Sequence, residues 1–531
     1  MRSHLSNGLV ITIFAFTCGT VFAQSERLGE VNFPVSCSAD AQKHFQRAAA
    51  LYHSFDWPRV TKAFETVLEA DPQCGMAWWG IALATLDNPF IWPISAKQVA
   101  DGWAAVEKAK ALGAKTQRER DYIAAIETFY KDGSTVPHRQ RALAYESAME
   151  KLAKAYSDDI EAQVLYAIAV SANFEPTDKK YTKQLKAAKL LEPVFKKYPE
   201  HPGAAHYLIH SYDYPPIAGK GLDAARRYAA IAPSAPHALH MPSHIFTRVG
   251  YWKDSVESNR ASFNATKDLP TRLHALDYMT YAYLQTGQDG EARRALDEML
   301  KIEKVPGENF VAAYALAAIP ARLALERDRW AEAAAIKPHP SEAAFKWTNF
   351  PNAAAVTVFA RGVGAARSGN VAVAKEELER LTARVKPAMI AAKQTYWADQ
   401  ADIQIKIIES WIAKAEGDNA RALELARAAA NHEDSTEKHP VSPGPIIPAR
   451  ELLGDMLMEL GQSAAALKEY EASVAKEPNR FRGLYNAARA AEASGNMAKA
   501  RAWYQKFAQV TGQADPNVVQ VERAKMFLAR R

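Results

Sequence analysis

The sequence predicts an all-α protein assembled from antiparallel helical hairpins. Alanine is very common, and runs of β-branched residues, which central strands need, are rare. Glycines recur along the chain with small and aromatic residues at fixed distances from them. Apolar residues make up 48% of the 531 residues and charged residues 24%, a composition typical of a folded, water-soluble protein.

The N-terminus has the pattern of a secretory signal peptide, residues 1–23. Arg2 supplies the basic start, residues 9–16 form a short apolar core, and Val21-Phe22-Ala23 before Gln24 offers a small-x-small cleavage site. The core is too short to span a bilayer, and no later stretch stays apolar over the roughly 18 residues that a span needs. We therefore expect an exported protein, periplasmic or secreted, without a membrane span.

The cysteines are consistent with export. Cys18 falls within the leader, and the residues before it form a poor lipobox, although a lipoprotein is the alternative. Cys37 and Cys74 remain after cleavage, and an oxidising compartment favours a disulfide between them. Metal ligation and unpaired thiols are the alternatives for this pair.

A repeat is clearest near the C-terminus. Gly461 has small residues seven positions before it and five after it, which are Gly454 and Ala466. An aromatic residue, Tyr470, lies nine positions after it, and Pro478 lies seventeen after it. The same offsets return 34 residues later around Gly495, at Ala488, Ala500 and Tyr504. Small residues allow helices to touch, the glycine makes the turn, and the proline ends the second helix.

This pattern resembles the tetratricopeptide repeat (TPR), and the chain as a whole resembles an exported, bacterial-type member of the TPR family. Parts of it recur at five other glycines: Gly219, Gly250, Gly287, Gly369 and Gly417. The resemblance covers most of residues 40–515 and implies a right-handed superhelical solenoid with about eight to ten repeats. It also implies that the first helix of each hairpin lines a concave groove.

The chain divides into four parts after the leader. Residues 40–300 are predicted to form N-terminal TPR-like repeats with a histidine cluster, and residues 301–431 more degenerate helical repeats. Residues 432–448 contain four prolines and are predicted to be a long, non-helical loop, either ordered or lid-like. Residues 449–515 form the C-terminal TPR repeats. Residues 88–92 interrupt the N-terminal pattern as an inserted loop.

Histidines provide the main functional signal. Of the 14 in the chain, six lie between His201 and His244. His206, His210 and Asp213 are spaced i, i+4, i+7, and His237, His240 and His244 are spaced i, i+3, i+7. Both spacings place side chains on one stripe of a helix.

Corresponding positions of three successive hairpins carry these side chains. His206, His237 and His274 each lie thirteen residues before a turn glycine. The resemblance to TPR proteins implies that residues at these offsets face the groove. Pro242 complicates the second hairpin: if a helix begins near Met241, then His237 and His240 come from the preceding loop.

Converging imidazoles predict a divalent metal site, with Zn²⁺ or Cu²⁺ as the ion. The predicted ligands are His206, His210, His237, His240 and His244. Five more residues are candidates for a second metal or for partners that orient the imidazoles: Asp213, His274, Asp277, His432 and Glu433. The alternative is a polar groove whose histidines bind a peptide or one another. His53 and Asp56 are predicted to be a cap or a packing pair.

Two functions follow from these observations. One is a metal-binding solenoid, either a metalloenzyme or a metal-handling protein. The other is an interaction scaffold that grips an extended peptide or envelope protein without metal. The net charge of +6 is spread along the chain, so we expect no nucleic-acid binding. No zinc-protease, nucleophile-elbow, P-loop or dinucleotide-binding motif is present.

Overall fold

The protein is an all-α solenoid of helical hairpins. The structure is a computed structural model, and it describes residues 26–307 and 309–530. The predicted signal peptide lies outside these residues. The first part of the solenoid contains eight helices: α1 (Ala39–His53), α2 (Trp57–Ala70), α3 (Gly75–Thr85), α4 (Ala96–Leu112), α5 (Gln117–Tyr130), α6 (His138–Ala155), α7 (Ile160–Ala172) and α8 (Thr182–Lys197).

The middle part contains the clustered histidines. Its helices are α9 (Pro202–Tyr212), α10 (Leu222–Ile231), α11 (Pro236–His240), α12 (Pro242–Val249), α13 (Trp252–Ala265), α14 (Leu269–Thr286) and α15 (Asp289–Leu300). Proline occupies the first turn of α9, α11, α12 and α14, where its missing N–H costs no hydrogen bond. Pro242 therefore begins a helix, and His237 and His240 lie on a five-residue helix rather than in a loop.

The remaining helices complete the solenoid. They are α16 (Phe310–Leu325), α17 (Trp330–Ala334), α18 (Pro351–Arg367), α19 (Val371–Arg380), α20 (Lys386–Ala391), α21 (Thr395–Ala415), α22 (Asn419–Ser435), α23 (Ala449–Glu459), α24 (Ser463–Lys476), α25 (Phe481–Ala493), α26 (Met497–Val510) and α27 (Val519–Ala529). A π-helical turn at Leu381–Val385 joins α19 to α20. None of the described helices has the length and apolar character needed to cross a bilayer.

Sequential helices pack as pairs, and each pair packs on the next. The described residues contain twelve such pairs, from α1/α2 to α25/α26, with α11 and α12 together serving as one first helix. The prediction of eight to ten repeats was too low, because the pairs before residue 200 carry few turn glycines and escape the sequence pattern.

The turn glycines have the backbone conformation that the repeat requires. Gly250 ends α12 with φ +72°, and Gly287 ends α14 with φ +74°, in the left-handed region that favours glycine. Gly369, Gly417, Gly461 and Gly495 share it. Gly219 does not, because it lies in the 3₁₀ turn Ala218–Gly221. Within a hairpin, a Cβ at Gly454 would come 2.6 Å from the Tyr470 ring, so that close approach depends on glycine.

Residues 436–448, hereafter the 436–448 segment, run between helices without helical structure of their own. The predicted loop began at His432, but α22 continues to Ser435 and includes its first four residues. Side chains from distant helices bind the backbone of this segment. Tyr396 donates to the Glu437 carbonyl, and Arg322 donates to the carbonyls of Gly444 and Pro445. The segment is therefore an ordered part of the interior.

Buried apolar side chains form two large clusters, one within residues 28–246 and the other within residues 273–500. The clustered histidines, between residues 206 and 274, lie where the first core ends and the second begins. Near the N-terminus, Cys37 and Cys74 are paired, with sulfur atoms 2.02 Å and Cα atoms 5.3 Å apart. This pairing joins the chain before α1 to the start of α3.

Candidate metal centre

The clustered histidines form two groups of three. Group one comprises His206 and His210 on α9 and His237 on α11. Group two comprises His240 on α11, His244 on α12 and His274 on α14. In each group, one nitrogen from every imidazole lies within 4.8 Å of the other two.

In group one the three Nε2 atoms converge. His206 Nε2 is 3.1 Å from His210 Nε2 and 3.2 Å from His237 Nε2. Two nitrogens that bind one ion at 2.0–2.1 Å, with angles of about 90–110°, lie about 2.9–3.4 Å apart. These separations are therefore compatible with one shared ion.

In group two, His240 Nε2 lies 2.9 Å from His244 Nε2. The His274 ring centroid lies 4.4 Å from that of His240. The Tyr278 hydroxyl lies 3.4 Å from His244 Nε2. The two groups are neighbours, because the ring centroids of His210 and His244 are 5.8 Å apart, as are those of His237 and His240.

Hydrogen bonds at Nδ1 determine the tautomers of three imidazoles. His206 Nδ1 donates to the His53 carbonyl at 2.7 Å, and His244 Nδ1 donates to the Asp213 carboxylate at 2.9 Å. His240 Nδ1 lies 2.7 Å from Asn259 Oδ1, whose amide N–H₂ donates to the Ser255 carbonyl. His240 therefore donates as well. In all three neutral rings, Nε2 carries a lone pair and no proton.

The lone pairs on His240 Nε2 and His244 Nε2 consequently point at one another across 2.9 Å. Such a contact is repulsive unless a cation lies between the two nitrogens. A proton is disfavoured, because burial lowers the pKa of both imidazoles, although Asp213 partly opposes this at His244. Burial and neighbouring imidazoles also lower the pKa of His206, His210, His237 and His274.

Asp213 links this centre to the 436–448 segment. Its carboxylate accepts from His244, from Arg248 at 2.9 Å and from Lys438 at 3.0 Å. Burial alone would raise the pKa of Asp213, but Lys438 and Arg248 hold it well below its usual range. Burial lowers the pKa of Lys438 to about 8, although Asp213 opposes this. Asp213 is thus placed to orient the His244 ring.

The structure places the five predicted ligands in two neighbouring groups, and the second group also contains His274, which the sequence placed among the candidates for a second metal or for orienting partners. Asp277, His432 and Glu433 lie elsewhere. Asp277 accepts from Arg322 of α16 at 2.8 Å, which makes it part of a buried ion pair between α14 and α16. His432 lies 2.9 Å from Asp399, and Glu433 accepts from the Ala449 N–H at the start of α23.

Sequence reasoning missed a third buried group beneath the centre. His53 Nε2 lies 2.8 Å from Glu161, and His201 Nε2 lies 3.0 Å from the same carboxylate. His53 Nδ1 lies 3.0 Å from the Tyr207 hydroxyl. His53 is thus not paired with Asp56, which binds Arg59 instead. The group holds the His53 backbone, whose carbonyl orients His206.

The comparisons with known proteins concern the repeats. Residues 452–517 match the family model described as "Tetratricopeptide repeat", so α23–α26 are TPR hairpins. No curated protein matches the chain. The similar solved structures include the human IFIT1 dimer with PPP-AAAA, which is 12% identical over 89% of this chain and 90% of that chain, with a TM-score of 0.38.

Two further solved structures are similar. The P58(IPK) TPR domain is 12% identical over 93% of this chain and 100% of that chain, with a TM-score of 0.21. The APC/C hetero-tetramer Cut9–Hcn1 is 11% identical over 93% of this chain and 96% of that chain, with a TM-score of 0.28.

Proposed function

We propose that the chain is a metalloprotein that binds two divalent ions, copper or zinc, one in each three-histidine group. The facing lone pairs of His240 and His244 are the observation that carries this proposal, because a cation between them converts a repulsive contact into two bonds. Group one supports a second ion through its three converging Nε2 atoms.

Three histidines leave each ion at least one open position. Zinc in catalytic sites typically has three protein ligands and a water, whereas structural zinc has four protein ligands. A water bound there would ionise near neutral pH and support hydrolysis, and copper would support redox chemistry. We therefore infer a reactive centre rather than a structural one, acting outside the cytoplasm after removal of residues 1–23.

The groups that accept hydrogen bonds from the imidazole Nδ1 atoms support the same proposal. Asp213, Asn259 and the His53 carbonyl each accept from an Nδ1–H, which directs the opposite nitrogen of the ring toward the ion. Mutation of partners of this kind commonly lowers metal affinity by roughly 10- to 100-fold. Each of the three is buried with the ring that it orients.

Metal analysis tests this proposal. The protein is produced from its full gene without an affinity histidine tag, purified, and analysed by mass spectrometry for metals. We expect two ions per chain, one after His206→Ala or His240→Ala, and none after both substitutions. The control is His44→Ala, which removes a half-buried histidine near Asp40 on α1, away from both groups. Folded protein that binds no ion would overturn the proposal.

An interaction scaffold is the second candidate, and the TPR match at residues 452–517 favours it. A scaffold would capture a protein or peptide partner without metal. Near the histidines, a bound peptide would have to displace the 436–448 segment, whose carbonyls already accept from Tyr396 and Arg322. The same metal analysis separates the candidates, since only the scaffold is fully compatible with a metal-free protein.

A further inference from the structure

A cavity of about 220 Å³ opens beside the two histidine groups. Five of the six imidazoles line it, namely those of His210, His237, His240, His244 and His274. Aromatic and aliphatic side chains also line it: Phe55, Trp57, Phe90, Ile91, Val311 and Val441. The ions of the proposed centre would thus face a cavity whose wall is more apolar than polar.

Two phenylalanines are held against the imidazoles. Phe90 belongs to the 3₁₀ turn Pro89–Ile91 in the predicted inserted loop, and its ring stacks on His210 at 4.1 Å and 23°. Phe55 stacks on His237 at 5.6 Å and 24°, with a backbone φ of +50° that is strained for this residue type. Strain of this kind tends to occur at functional sites, where surrounding packing enforces it.

The cavity wall has little charge of its own. Among the described residues that line it, none is lysine or arginine, and Asp268 is the one carboxylate that is present. The Asp268 carboxylate already accepts from the Thr271 N–H and hydroxyl as a helix cap. Asn88 and Asn309 use their oxygens as caps too, which leaves their N–H₂ groups as donors.

Resting on the proposed metal centre, we propose that this cavity binds a single-ring phenol, with its hydroxyl oxygen on an ion and its ring in the apolar part. A cavity of about 150 Å³ is enough to hold benzene, so 220 Å³ accommodates one ring with a small substituent. A phosphate or sulfate ester would have only the ions and the two amide N–H₂ groups for its outer oxygens, since none of the described residues that line the cavity is lysine or arginine.

The test measures binding of phenol to the full-length, metal-loaded protein by calorimetry, with cyclohexanol and phenyl phosphate as comparison probes. We expect phenol to bind about tenfold or more tightly than cyclohexanol, because an aromatic ring stacks and its hydroxyl ionises at the metal. Phenyl phosphate should bind more weakly than phenol.

Two variants localise the binding. Val311→Phe fills the cavity and should lower phenol affinity by about tenfold or more with both ions retained. The matched control, Val371→Phe, makes the same change at a half-buried valine in the first turn of α19 and should bind phenol normally. If Val311→Phe does not fold, Phe90→Leu provides the test, since it removes the stacked ring and should weaken phenol binding more than cyclohexanol binding.

The outcomes separate this inference from the proposed function. A protein without ions overturns the metal centre and the phenol site together. A protein with two ions that prefers phenyl phosphate, or that binds phenol no better than cyclohexanol, overturns the phenol site alone. Phenol binding that Val311→Phe leaves unchanged would place the ligand elsewhere and would also overturn it.

Discussion

The Nδ1 contacts of His206, His240 and His244 determine the chemistry of the site. Each of these atoms donates to an oxygen, at His53, Asn259 and Asp213 respectively. Because the proton of each ring is on Nδ1, Nε2 is the atom with a lone pair for a metal. Burial keeps the rings neutral by lowering their pKa. Metal affinity should therefore depend on residues that never touch the ion.

Asn259→Leu tests this dependence. It removes the acceptor for His240 Nδ1 while it keeps a side chain of similar size. We expect the affinity of group two for its ion to fall by roughly 10- to 100-fold, because the ring loses its fixed tautomer and orientation. A chelator titration followed by metal analysis measures the affinity, and group one serves as the internal control. Equal loss from both groups, or from neither, would contradict the assigned role.

Glu433 provides a pH-dependent prediction away from the histidines. Burial raises its pKa from the ordinary value of 4.5 to about 7, although Lys476 opposes the shift. Between these two pH values the folded chain binds a proton that the unfolded chain does not. This group's contribution to stability is therefore fully present below pH 4.5 and is lost as the pH rises to about 7.

Glu433→Gln removes that titration and keeps an oxygen to accept from Ala449. We expect the variant to gain stability relative to the wild type between pH 5 and pH 8, by about 1–3 kcal/mol. Urea unfolding at both pH values measures the change. A difference between the two proteins that stays constant with pH would show that Glu433 titrates normally.

The sequence anticipated the main elements better than their connections. The TPR glycine pattern predicted the turns after α12 and α14, because one residue in the left-handed region sets each turn. The short helix α11 was missed, since Pro242 interrupts its periodicity. The sequence placed the start of the proline-rich loop at His432, so the end of α22 was missed. The first proline is Pro440, five residues after Ser435, and the helix can therefore continue to Ser435.

The 436–448 segment depends on a buried ion pair on neighbouring helices. Arg322 on α16 binds Asp277 on α14 and also donates to the carbonyls of Gly444 and Pro445. Burial raises the pKa of Asp277, and Arg322 opposes this rise. One side chain therefore joins two helices to the segment that covers the site.

Arg322→Met should destabilise the protein by about 3–5 kcal/mol, because it leaves Asp277 buried without its cation. The double variant Arg322→Met with Asp277→Leu should recover part of that loss, since no charge then remains uncompensated. Urea unfolding of the wild type, both single variants and the double variant measures the coupling. Purely additive losses would show that the pair does not act as a unit.

At the scale of the whole molecule, the proposed metal centre takes its ligands from three successive hairpins, at the end of the first large core and the start of the second. The regular spacing of His206, His237 and His274 before their turn glycines allowed the sequence to place them together. His53 and Phe90 could not be placed this way, because their partners are far along the chain. The His53 carbonyl and His206, for example, are 153 residues apart.

The central claim is that each three-histidine group binds its own ion. Anomalous diffraction from crystals of the purified protein, recorded at the copper and zinc absorption edges, tests it most directly. We predict two peaks at one of these edges, each about 2.0–2.1 Å from three histidine nitrogens of its group. A single peak shared by the groups, or no peak while the His240 and His244 rings keep their positions, would contradict the claim.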